Sequence, residues 1–232
     1  MPGMFYIDKW YILLIIPCML LSLLAQALVK SRFNKYSQIR NRRGYRGKDV
    51  AQMILRSYDI LDVAIEPVRG QLTDHFSPNE KVLRLSEPVF AADSIAALGV
   101  AAHESGHAIQ TEKHYLPNLI RQGIFPVARI GSSAGPWLAI IGLAMNAKTL
   151  FSVGILLYAA AVAFFIVTLP VEFDASRRAI RILDEQAILD PDELDGAKAV
   201  LKAAALTYVA SAATALASLI RLLLLARERD EH

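Results

Sequence analysis

The sequence predicts a mainly α membrane protein, with about four transmembrane helices and a small cytoplasmic α+β domain. Three observations lead there. Of the 232 residues, 54% are hydrophobic and the mean hydropathy is +0.36, more apolar than an ordinary soluble domain. Four stretches are long and apolar enough to span. Basic residues crowd behind the first of them.

That first stretch, Trp10–Val29, is uncharged and about 30 Å long as a helix, the thickness of a hydrocarbon core. "AQA" at 25–27 imitates a signal cleavage site, but in signal peptides the positive charge precedes the apolar run. Here Asp8 and Lys9 nearly cancel in front of it. Lys30, Arg32, Lys35, Arg40, Arg42, Arg43, Arg46 and Lys48 follow it, with no acid before Asp49. Residues 1–29 therefore read as an uncleaved anchor with its N-terminus outside and the following segment in the cytoplasm. The basic run lacks the patterns of a nucleic-acid site and suits anionic lipid. Cys18, the single cysteine, excludes an intramolecular disulfide.

Residues 30–129 form the first cytoplasmic segment. Asp49–Leu61 predicts a short amphipathic helix, with Val50, Ile54 and Leu61 on one side. "QLTDHF" and "KVLRLS", joined by "SPNE", predict a hairpin, and "VLRLS" alternates as a half-exposed edge strand should. Ser94 is a plausible N-cap for the Ala-rich helix "IAALGVAAHESGHAIQ".

Ile130–Met145 and Leu150–Leu169 make a transmembrane hairpin (130–169) around the outer turn "NAKT". Pro170 is expected to end that span and open the next helix, "VEFDASRRAIRILDEQAI", within a second cytoplasmic segment, 170–202. The acidic stretch "DEQAILDPDELD" reads as a solvated face and turn. Ala203–Ile220 is uncharged and Ala-rich, and a buried core helix competes with a fourth span there. It belongs to the last region, 203–232. Both sizeable water-exposed segments then face one side, so a single site can draw on both.

"HESGH" at 103–107 carries the chemistry. Residues four apart share a helix face, so His103 and His107 can bind one metal ion, and Glu104 reaches in from the side. A zinc ion activates water near neutral pH, and a glutamate there can take its proton and pass it to a leaving amine. Gly106 inside the helix costs about 1 kcal/mol against alanine, which points to another helix approaching closely. The competing reading is an incidental match on a surface helix, because five residues are a short signal.

A third ligand has several candidates. The position ten residues after His103 is Lys113, with His114 one place off, which departs from the metzincin pattern. "LDG" at 194–196 offers Asp195, as in site-2-type intramembrane proteases, but its surroundings are too acidic for hydrocarbon. Glu172, just after Pro170, sits where the dipole of a new helix favours a carboxylate, and would complete a His₂Glu catalytic set.

Taken together, "AAHESGHAIQ" and, after a hairpin, "PVEFDASRRAIRIL" resemble the HtpX-type and CAAX prenyl-protease-type membrane metallopeptidases. The likeness is closer to the YugP-like bacterial membrane zinc metallopeptidases and extends over nearly the full length: "LLAQ", "LTDHFSPNEKVLRLS", "AALGVAAHESGHAIQ" and "EFDASRRA". The resemblance implies a zincin-like catalytic domain with one Zn²⁺ per chain on His103, His107 and Glu172, and Glu104 as catalytic acid/base. The expected substrate is a peptide or membrane protein; the charge pattern, for its part, argues against a nucleic-acid partner and for an inner (plasma) membrane location with the site facing the cytoplasm. Four residues after Glu172, where HtpX-type enzymes carry an aspartate, stands Ser176; Asp174 comes two after. His75 is a candidate for steadying a reaction oxyanion, with Tyr115 and Arg178 behind it. The rival is a non-catalytic membrane scaffold holding a structural metal.

Overall fold

A computed structural model describes residues 8–230, so residues 1–7 of the expected anchor and 231–232 of the tail lie outside the described residues. Among the described residues, seven α-helices and three strands follow one another. After a π-turn at Tyr11–Ile15 come α1 (Ile16–Ser37), α2 (Gly47–Ser57), β1 (Ala64–Val68), β2 (His75–Ser77) and β3 (Val82–Ser86). Then come α3 (Glu87–Phe90), α4 (Ile95–Glu112), α5 (Leu116–Ala144), α6 (Lys148–Glu185) and α7 (Pro191–Asp230). Four of these helices are long and apolar enough to cross a membrane. The chain divides into two compact units.

The first unit comprises Met1–Ala25, Ile120–Leu169 and Thr207–His232. Its α5–α6 hairpin packs on glycine. A Cβ at Gly131 would meet the Leu157 carbonyl, one at Gly142 the Phe151 backbone, and one at Gly154 the Ala139 backbone. Small residues let helix backbones approach where lipid supplies no hydrophobic drive. Asp8 accepts from Arg221 Nε (3.0 Å) and Glu228 accepts from Trp10 Nε1 (3.0 Å), tying residues 8–10 to α7.

The second unit comprises Gln26–Leu119 and Pro170–Leu206. Its core gathers Phe33, Ile54, Leu83, Leu98, Ile109 and Leu183 around α4. Ser94 caps α4 as its sequence position suggests, accepting from the Ala97 amide at 3.2 Å. Gly106 explains itself: a Cβ there would lie 2.9 Å from the Ala175 carbonyl oxygen, on the backbone of α6.

Several expectations change. The sheet has order β1-β3-β2, with β1 parallel and β2 antiparallel to β3. The expected hairpin forms, but its first strand begins only at His75. "VLRLS" is the central strand and not an edge. β1 escapes the pattern because Glu66 and Pro67 interrupt its alternation. α2 stops at Ser57, since Asp59 takes a left-handed φ of 58°, and Leu61 is left 78% exposed. Pro170 neither ends a span nor begins a helix, because α6 runs through it from Lys148 to Glu185. A proline forfeits one intrahelical bond, and the long flanking turns keep the helix continuous.

The acidic turn is not simply solvated. Arg42 binds Asp190 (2.9 Å) and Asp192 (2.6 Å), Arg43 binds Asp190 (3.1 Å), and buried Glu193 accepts from the Arg42 amide (2.8 Å). Two of the basic run's five arginines thus hold the α6–α7 turn.

The close approach at Gly106 predicts a stability contrast. Gly106→Val should lower the thermal unfolding midpoint of the detergent-solubilised chain, by the equivalent of about 1–3 kcal/mol of overpacking. Gly123→Ala, where a Cβ meets nothing within 4 Å, should leave the midpoint unchanged or raise it. Equal midpoints for both variants would contradict the packing.

Candidate metal centre

Two helices of the second unit bring the site together. On α4, one turn separates His103 from His107, so their rings stack edge-on with centroids 4.7 Å apart. α6 crosses this face at Gly106 and presents Glu172. Its Oε2 lies 3.2 Å from His103 Nε2 and 3.6 Å from His107 Nε2. Glu172 is 3% exposed and each histidine 9%, so what opening remains lies on the histidine side.

These separations test the set against a metal. Bonds of about 2.0–2.2 Å in a tetrahedral arrangement place neighbouring ligand atoms roughly 3.3–3.6 Å apart. The two nitrogen–oxygen distances bracket that range. Among the described residues, His103, His107 and Glu172 form a group whose donor atoms all lie within 4.8 Å of one another. Two imidazoles and a carboxylate suit zinc.

Glu104 is buried beside this group. Burial pushes its carboxyl up to about 7; the His103 charge opposes that, and Glu172 and Asp74 add to it. The Phe76 backbone amide on β2 hydrogen-bonds the same carboxyl. β2 in turn is pinned by Asp74, which accepts from the Ser86 amide (2.7 Å) and hydroxyl (2.9 Å) on β3.

Both histidines have partners on their far nitrogens. His103 Nδ1 meets Ser176 Oγ at 3.1 Å, so the serine stands where HtpX-type enzymes place an aspartate. His107 Nδ1 meets Gln110 Oε1 at 3.0 Å. Asp174 lies one step further out, 2.9 Å from Gln110 Nε2 and 2.6 Å from Arg178 Nε. Neither Gln110 nor Ser176 stands out in the sequence. Gln110 is visible only as a polar residue one turn after His107, and Ser176 only as a mismatch.

The remaining candidates fall elsewhere. Asp195 belongs to no metal-binding group among the described residues; its side chain is 77% exposed and pairs with Lys198 at 3.2 Å. His75 is exposed and its Nδ1 meets the Thr73 carbonyl at 2.9 Å. Arg178 is engaged with Asp174 and lies over the Tyr115 ring at 5.9 Å. The expected reason for Glu172 also changes. It lies deep inside α6, so no helix N-terminus acts on it.

With this geometry in view, residues 11–227 match the family described as "Putative neutral zinc metallopeptidase". The chain belongs to that family. It is also 44% identical over 223 residues to the "Putative membrane protease YugP" of Bacillus subtilis (strain 168), covering 96% of this chain and 99% of that relative. No solved structure matches it. The resemblance drawn from the motifs is thereby borne out, and it runs from residue 11 into α7.

Proposed function

We propose that this chain is an integral membrane zinc metallopeptidase that hydrolyses peptide bonds. The observation that carries the reading is the convergence of His103, His107 and Glu172 beside a buried Glu104. In this reading the three side chains hold one Zn²⁺. When bound, zinc supplies the Lewis acidity that activates water and polarises a scissile carbonyl. Glu104 takes the proton of the attacking water and delivers it to the leaving amine. The Phe76 amide steadies its carboxyl between those transfers.

β2 packs against α4 and has β3 on one side only. An extended substrate added to the open side of β2 would run past Glu104, which supports main-chain pairing as the mode of peptide recognition. The site-2-like alternative loses support from the exposed, lysine-paired Asp195. The orientation that we propose puts the second unit in the cytoplasm at the inner (plasma) membrane, on the strength of Lys30 to Lys48 set against a single lysine in the outer turn.

Metal analysis of purified variants tests the ligand set. Glu172→Ala should purify nearly zinc-free and inactive, whereas Asp195→Ala should keep metal and activity. Exchanged outcomes would overturn the His₂Glu assignment.

Glu104→Gln separates chemistry from binding. It should retain about one zinc per chain while proteolysis of an unfolded casein probe falls 10²–10⁴-fold or more. Undiminished proteolysis would remove Glu104 from the mechanism; no proteolysis by the wild type would favour the metal-holding scaffold.

Orientation is checked with reporter fusions. One placed after residue 125 should read cytoplasmic and one at Ala147 external; the reverse pattern would sink the proposed topology.

A further inference from the structure

Gln110 is a polar side chain with no exposure at all. Its Nε2 donates to the Val171 carbonyl at 2.8 Å and to Asp174 Oδ2 at 2.9 Å. A primary amide has two N–H donors on its nitrogen. Both partners are acceptors, so both donors are used and the amide has only one satisfactory orientation. Nitrogen faces α6 and oxygen faces His107. Arg178 Nε, 2.6 Å from the same Asp174 oxygen, keeps that carboxylate in place.

The orientation has a consequence at His107. Gln110 Oε1 can only accept, so its 3.0 Å contact with His107 Nδ1 requires the proton to be on Nδ1. A neutral imidazole with Nδ1 protonated carries its lone pair on Nε2. That is the atom 3.6 Å from Glu172 Oε2. Ser176 does not dictate a tautomer in this way at His103, because a hydroxyl both donates and accepts.

We propose that Gln110 is a positioning residue that fixes His107 in its metal-binding tautomer and clamps the two ligand-bearing helices in register. The inference rests on the metal-centre reading above. Val171 adjoins Glu172 in the chain, and Asp174 follows two residues later. One buried amide therefore sets the ring of one ligand and the backbone beside another. The carboxylate that usually touches a metal-bound histidine acts here one side chain removed, through Gln110.

The test compares Gln110→Leu with Gln110→Glu in the full chain in detergent. Zinc affinity is read by chelator competition, and ligand geometry by the visible absorption of the Co²⁺ form. Leucine has similar bulk and no acceptor, so zinc should bind about 10–100-fold more weakly, with an altered Co²⁺ spectrum. Glutamate keeps an oxygen toward His107 but has at most one donor for the two acceptors on α6, so its affinity should fall between those of the leucine variant and the wild type. If Gln110 merely filled space, the ranking would invert, because leucine suits a buried site better than a second carboxyl beside Asp174. Should the leucine variant fail to fold, Asp174→Ala removes one of the two acceptors that orient the amide and should weaken zinc about tenfold. Wild-type affinity in Gln110→Leu, or in Asp174→Ala where that replaces it, overturns the inference and leaves the metal centre standing. A wild-type chain that binds no zinc overturns both.

Discussion

The site depends on one close approach, that of α6 to α4 at Gly106. Helices normally pack with axes 8–10 Å apart, set by the side chains between them. Here a Cβ on Gly106 would lie 2.9 Å from the Ala175 carbonyl oxygen, so no side chain separates the backbones. His103 and His107 flank that contact on one helix, and Glu172 lies one turn before Ala175 on the other. A bulkier residue at the contact would push Glu172 away from both imidazoles. The glycine that weakens α4 as an isolated helix is what allows α4 to be half of a site.

Bringing helices this close buries polar groups, and the structure meets that demand locally. Gln110 satisfies a histidine nitrogen, a backbone carbonyl and a carboxylate at once. Ser176 serves the other histidine, and the Phe76 amide serves Glu104. Each unmade bond at such depth would cost about 1–3 kcal/mol. The small sheet is part of this arrangement. Asp74 locks β2 to β3, and β2 carries the amide that reaches Glu104.

Features set by local spacing are legible in the sequence. The i, i+4 histidines, the Ser94 cap, the apolar spans and the β2–β3 hairpin all follow from patterns within a few residues. Features set by how two distant segments meet are not. Ser176 and Gln110 acquire roles only once α4 and α6 are in register, which no local pattern encodes. β3 becomes central because β1 joins it in parallel, a pairing hidden by Glu66 and Pro67. Glu172 is instructive in another way. Its position in the motif is readable, but the dipole argument for it fails, because Pro170 sits inside α6 and does not start a helix.

The ion pairs on the basic run bear on the orientation that we propose. Arg40, Arg42 and Arg43, three of the run's eight cations, are bound to acids in the folded chain. That does not weaken a charge-based topology. Orientation follows the count of lysines and arginines near a span, and acids contribute little to it. Asp190 and Asp192 lie about 150 residues beyond Arg42 in the chain and emerge long after the first span has met the membrane. The run can therefore act twice. In the proposed orientation it sets the direction of the first span while its charges are bare, and in the folded chain it fixes the turn between α6 and α7.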